Sequence, residues 1–187
     1  MPFMIQNADI LDKQSLRRLV TQLKRQLSDF QKQQEADSVF AKLECEQFFA
    51  DAENIAVYWS LDDELPTQRF IEKWYKQKKL YLPVVVGDTL IFRRYSGSDG
   101  LKKGAFGIPE PIDDKLADTQ MLDMIVVPGV AFDLQNNRMG RGRGFYDRLL
   151  PQVKAKRVGV AFKSQIFRQI PVCDSDVPMD IVLCAAS

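Results

Sequence analysis

The run Arg138-Met139-Gly140-Arg141-Gly142-Arg143-Gly144-Phe145-Tyr146-Asp147-Arg148 holds the densest chemistry in the chain. Alternating glycines let the backbone approach a ligand closely and let successive N–H groups converge into an anion nest. The interleaved arginines supply forked donors that match phosphate oxygens. A helix expected from Phe145 would add its positive end. Asp147, just beyond, is a hard oxygen ligand where a phosphate-bound divalent cation would sit. The spacing is neither GxxxxGK[ST] nor GxGxxG, so the residues indicate an oligophosphate without naming a nucleotide. Two plainer readings compete: a tight turn with solvated arginines, and an arginine-glycine tract for RNA. Placement after a buried strand in an ordered chain disfavours the second.

Other candidates are single residues with two readings each. Lys13, with Arg17, opens a helix and can offer a point charge to a phosphate or to water. Glu64 ends the acidic run Asp62-Asp63-Glu64, suited to the N–H edge of a heterocycle or to a helix N-terminus. Gly104-Ala105-Phe106-Gly107-Ile108-Pro109-Glu110-Pro111 is a rigid turn that can present Phe106 to a flat ligand or simply be a structured loop. Asp174, Ser175, Asp176 and Asp180 form an acidic group suited to Mg²⁺ or to solvent. Tyr58, Trp59 and Tyr81 read first as strand aromatics of the core.

Composition narrows the chemistry further. The chain of 187 residues has no histidine, which excludes Ser-His-Asp, Cys-His and His-ligated zinc sites. Carboxylates, lysine, arginine, backbone amides, tyrosine or a hard metal must carry the reaction. A net charge of +1 gives no global field for nucleic acid or a membrane surface. Three separated cysteines suggest no disulfide framework and a reducing compartment. The first ten residues do not read as a signal peptide, and Met124 to Phe132 is far shorter than the ~20 apolar residues that span a bilayer. The expectation is a cytoplasmic protein with no nucleic-acid or membrane partner.

Positioning elements follow from hydrophobic spacing. Leu16, Leu19, Val20, Leu23 and Leu27 mark a helix from Lys13, and Ser28-Asp29 caps a second carrying Ala36 to Phe48. Strands are expected at 55–59, 80–86, 90–95, 124–127, 158–162 and 180–184, with helices at 66–77 and 145–150. Residues 96–110 read as a long surface loop, and 138–144 as the glycine-arginine loop. Apolar strands alternating with helices predict one α/β domain over 1–187, built on a mainly parallel sheet flanked by helices. Ligands then bind beyond the carboxyl ends of strands, where Ser60 to Glu64 and Pro128 to Gly144 fall.

Taken in order, these segments resemble the 5-formyltetrahydrofolate cyclo-ligase family, also called methenyltetrahydrofolate synthetase. The resemblance rests on Lys13-x-x-Leu16-Arg17, Asp63-Glu64, Lys103 to Pro111, Val127-Pro128-Gly129-x-x-Phe132-Asp133 and the Arg138 to Arg148 loop. Phe162-x-x-Gln165, Ile170-Pro171 and Asp176…Asp180 complete it. It covers nearly the whole chain from Lys13 and implies a NagB/RpiA/CoA-transferase-like fold acting on 5-formyltetrahydrofolate with ATP and Mg²⁺.

Carried over by position, the resemblance puts Lys13, Arg17 and Arg138, Met139, Gly140, Arg141, Gly142, Arg143, Gly144, Phe145 and Tyr146 at the nucleotide. Trp59 and Glu64, with the Arg141 to Phe145 segment between substrate and nucleotide, would meet the folate, and Phe106 is the added candidate wall. Asp147 and Asp176 are the expected Mg²⁺ ligands; Lys13, Arg138, Arg141 and Arg143 are the expected catalytic cations. Met139 and Phe145 depart from the family's leucine and first tyrosine, conserving volume. Ser175 stands where many members carry histidine. A monomer or weak homodimer is expected. Rival readings are a catalytically silent phosphate-binding regulator, an RNA-binding module, and an ATP-dependent enzyme with another acyl substrate.

Overall fold

The computed structural model describes residues 12–104, 107–113 and 115–185. Helices α1 (Lys13–Arg25), α2 (Asp29–Glu44) and α3 (Gln47–Asp51) come first. Asp12 caps α1, accepting from the amides of Gln14 at 2.7 Å and Ser15 at 2.9 Å. Ser28 and Gln31 cap α2 reciprocally. The expected single helix to Phe48 breaks at Cys45, and α3 restarts two residues later.

Strands β1 (Asn54–Val57), β2 (Lys79–Val86), β3 (Thr89–Arg94), β6 (Met124–Val127), β9 (Lys156–Ala161) and β11 (Ile181–Cys184) form one sheet in the order β11-β9-β6-β1-β2-β3. Every pairing is parallel except β2 with β3. The sheet is thus mostly parallel and flanked by helices, as expected. Its inner strands are apolar on both faces because both are covered. Ile55, Val57, Leu80, Leu82, Val126 and Val158 pack on one side against α2, α3 and α4 (Gln68–Trp74), where the Phe40 and Phe70 rings stack at 4.4 Å. Ala56, Ile125, Val127 and Ala161 face Phe132, Met179 and Leu149 on the other side. Leu149 belongs to α5 (Phe145–Leu149).

Five short strands lie outside the expectation. The presumed loop over 96–110 contains a hairpin of β4 (Leu101–Lys103) and β5 (Pro109–Pro111). β7 (Ala131–Asp133), β8 (Arg138–Met139) and β10 (Ile166–Phe167) make a second small sheet, on which Leu16 and Val20 of α1 pack. Arg138 and Met139 are therefore strand residues, not part of the loop. Asp133 makes this turn: its carboxylate accepts from the amides of Gln135, Asn137 and Ile170 at 3.0, 2.9 and 3.2 Å. β1 ends two residues early because Thr67 donates its hydroxyl to the Tyr58 carbonyl at 2.7 Å, closing residues 58–67 into a compact loop.

Phe132 is fully buried between sheet and glycines. A Cβ added at Gly159 would lie 2.7 Å from its ring. Gly159→Ala is therefore expected to destabilise the protein by about 1–3 kcal/mol through overpacking. A urea titration reports this as a lower midpoint at unchanged slope.

Candidate active site

Three segments converge beyond the carboxyl ends of β1 and β6: residues 58–64, Pro128-Gly129, and the glycine-arginine loop. The first is fixed by its own hydrogen bonds. Tyr58 donates its hydroxyl to the Leu65 carbonyl at 2.9 Å, and Ser60 and Gln68 join side chain to side chain at 2.7 Å. Within it the Leu61 amide donates to Glu64 Oε2 at 3.0 Å, orienting that carboxylate. Gln165 braces the second segment, donating from Nε2 to the carbonyls of Gly129 at 2.8 Å and Val130 at 3.0 Å. The third is tied down by Arg148, which reaches the Asp88 carbonyl at 2.7 Å and the Arg143 carbonyl at 3.0 Å. Gly142 and Gly144 hold φ of 100° and 67°, backbone that side-chain-bearing residues rarely adopt.

The loop stands between two cavities. One, of about 360 Å³, has apolar walls from Pro83, Val85, Leu90, Tyr58, Trp59 and Tyr146, and polar groups from Glu64, Glu110, Arg138 and Arg141. The other, of about 320 Å³, is lined by Lys13, Arg17, Met139, Gly142, Arg148, Ser175 and Asp176. Gly140, Gly144 and Asp147 line both. A flat, mostly apolar ligand with a polar edge suits the first, and an oligophosphate suits the second.

In the apolar cavity, Arg141 bridges acidic residues of the neighbouring loop. Its Nη2 donates to Asp63 Oδ1, and its Nε to Glu64 Oε1 at 3.2 Å. Burial pushes the Asp63 carboxyl up, but hydrogen bonds from Arg141 and Lys24 outweigh it and hold the group below its ordinary value. Burial opposes the Arg141 charge, yet Asp63 and Glu64 raise its pKa. Desolvation, then the charge of Glu64, pushes the Tyr146 hydroxyl well up, so it stays neutral. Arg138 is buried, donating to Asp147 Oδ1 at 2.7 Å and to the Pro128 carbonyl at 3.1 Å.

In the basic cavity, Lys13 pairs with Asp176 and lies 3.2 Å from Cys173 Sγ. Burial works against the lysine charge, but hydrogen bonds to Asp176 and Cys173 lift its pKa above 10.5. The same contact holds Asp176 below its ordinary value against its own desolvation. Arg17 donates Nε to the Gly140 carbonyl at 3.0 Å. Asp147 and Asp176 thus share a cavity, each already held by a cation. Among the described residues no group of three or more Cys, Asp or Glu is placed to hold a metal ion by itself. That donor set fits a Mg²⁺ ion that takes most of its oxygens from phosphate and water.

The structure brings together every expected site residue except Phe106, which lies outside the described residues. Met139 keeps its side chain in the core beneath α1. Helix α5, from which a positive end was expected, is only five residues long and so carries no long dipole. Sequence reasoning missed the wall of Pro83, Val85 and Leu90, because strand alternation assigns a face but not what lies over it. It also missed Lys24, although a lysine in register with Leu16 and Val20 on an apolar stripe was a visible signal.

Comparison with known proteins bears on the fold and the family. Residues 9–185 match the model of the 5-formyltetrahydrofolate cyclo-ligase family. A 5-formyltetrahydrofolate cyclo-ligase of Haemophilus influenzae is 39% identical over 71% of this chain and 75% of its own length. The Escherichia coli enzyme of that name is 32% identical over 88% and 96%. The NMR structure of Aquifex aeolicus 5,10-methenyltetrahydrofolate synthetase superposes with a TM-score of 0.84 at 34% identity, covering 91% of this chain and 88% of that one. Among the described residues no helix is long and apolar enough to cross a membrane. On its residues, its fold and these relatives, the chain belongs to the 5-formyltetrahydrofolate cyclo-ligase family of enzymes.

Proposed function

We propose that this chain converts 5-formyltetrahydrofolate and ATP to 5,10-methenyltetrahydrofolate, ADP and phosphate. The observation that carries this reading is the glycine-arginine loop acting as a common wall: one side is an apolar cavity with a carboxylate, the other a cationic cavity. Such a pair suits transfer between a flat heterocycle and an oligophosphate.

Glu64 Oε1 accepts from the N–H edge of the pterin ring, exchanging part of its pairing with Arg141, while Trp59, Pro83, Val85 and Leu90 wall the ring. The formyl oxygen attacks the γ-phosphorus, ADP leaves, and the carbon becomes an N5 iminium phosphate. N10 then adds to that carbon, and the C–O bond breaks as the ring closes, the departing phosphate carrying off the N10 proton. No covalent enzyme intermediate is needed, so the residues act by positioning and charge. Lys13, Arg17 and the amides of residues 140–145 hold the triphosphate. Arg141 and Arg143 meet the oxygens that gain charge, and Arg138 keeps Asp147 in place. A Mg²⁺ ion held by Asp147, with Asp176, would neutralise phosphate charge. Tyr146 and the apolar walls exclude water from the phosphorylated intermediate.

The test follows the near-ultraviolet absorbance of methenyltetrahydrofolate with and without Mg-ATP, for wild type and Asp147→Asn. Asparagine keeps an acceptor for Arg138 and removes the hard charge. Product is expected only with Mg-ATP, and kcat is expected to fall by about 100-fold in the variant. ATP-independent product would contradict the reading, as would a folded wild type that makes none.

A further inference from the structure

Lys24 is only 4% exposed, an ammonium in the interior at the last turn of α1. A buried charge of this kind stands only where its partners offset the lost hydration. Its Nζ donates to the main-chain oxygen of Asp63 at 2.6 Å and to Asp63 Oδ2 at 2.8 Å. The other oxygen of that carboxylate takes Arg141, which continues to Glu64. The four side chains therefore form one relay from helix to cavity. Lys24 and Asp63 line neither cavity, so neither touches a ligand there.

Helix α1 also carries Lys13 at its start, about 16 Å from Lys24 along the axis, and Arg17 about 10 Å from it. One rigid element thus holds the phosphate cavity at one end and the acidic loop of the other cavity at its far end. For packing alone, an apolar side chain would fill the Lys24 volume with a smaller desolvation penalty. What the lysine adds is direction: it fixes one edge of Asp63 so that the other edge meets Arg141.

We infer that Lys24 is a positioning residue for the folate cavity, acting through Asp63 on Arg141 and Glu64. This rests on the reading of that cavity as the 5-formyltetrahydrofolate site. Without Lys24 the 61–64 turn loses its anchor on α1, Arg141 settles on Glu64, and the carboxylate yields less readily to the ring. The phosphate cavity keeps its own contacts.

Initial rates with each substrate varied, on wild type, Lys24→Met, Asp63→Asn and the double variant, test this. Each single variant is expected to raise KM for 5-formyltetrahydrofolate about tenfold and to leave KM for Mg-ATP within about twofold. The double variant is expected to be no worse than the poorer single one, because both act through one contact. Thermal unfolding of Lys24→Met at or above the wild-type temperature separates positioning from loss of fold; if that variant does not fold, Asp63→Asn decides by the same criterion. Unchanged folate KM, or equal increases in both KM values, overturns the inference while wild-type activity keeps the function. A wild type that neither binds nor turns over 5-formyltetrahydrofolate overturns both.

Discussion

Lys13→Ala is expected to lower kcat/KM for cyclisation by about 1000-fold, with the larger share in Mg-ATP, and to move the melting temperature little. The residue begins α1, partly exposed, and its partners are Asp176 and Cys173 rather than the core. Its removal does two things in the basic cavity. On the proposed mechanism, a point charge that meets the transferring phosphoryl group is lost, and such charges are worth several kcal/mol in a water-poor site. The Asp176 carboxylate is also left uncompensated beside the phosphates. The pH dependence has a definite sign. The lysine pKa is raised above 10.5, so its charge and its contribution persist until pH rises through that higher value. The aspartate value is depressed below 3.8, so its contribution is present above that point and is lost as pH falls through the depressed value. Between about pH 6 and 9 both stay charged, and the fold-loss should be constant. Steady-state kinetics across that range check it; a loss that vanishes at either end would place Lys13 away from the phosphates.

The second large effect is expected at Glu64. Glu64→Ala should raise KM for 5-formyltetrahydrofolate by about 100-fold or more while KM for Mg-ATP stays within about twofold. If the proposed pairing holds, the alanine leaves the ring's N–H groups buried without an acceptor, and a site built around such bonds discriminates strongly when they are lost. It also removes one of two acidic partners of Arg141. Glutamine should recover part of the affinity, because its oxygen still accepts one bond. Varying each substrate in turn separates this from a general loss of activity; a matching rise in both KM values would show that Glu64 serves the loop and not the ring.

Much of the site was legible because its chemistry is contiguous. Residues 138–148 carry glycines, arginines and a carboxylate in a single run, and those types in that order constrain a local shape without tertiary information. The long parallel strands were legible for a similar reason, since a double-sided apolar run has few other solutions. The small β7, β8 and β10 strands were not, as two or three residues give no periodicity to read. Asp133 and Gln165 stood in recognised motifs, yet their work is architectural: one closes the β7–β8 turn, the other braces Gly129 and Val130. The wall of Pro83, Val85 and Leu90 depends on which loops cross the sheet, a long-range outcome invisible in local spacing. Lys24 shows the converse case, a charge on an apolar stripe that is explained only once Asp63 is seen beneath it.

On the proposed mechanism, phosphate from ATP is placed on the formyl oxygen across the glycine-arginine wall. The most direct test of that step is 5-formyltetrahydrofolate labelled with heavy oxygen in the formyl group, turned over by the wild-type enzyme with Mg-ATP, and mass spectrometry of the phosphate released. One labelled oxygen is expected in each phosphate, in step with methenyltetrahydrofolate formed. Product accompanied by unlabelled phosphate would contradict it, because the oxygen would then have left by a route that never joined it to phosphorus.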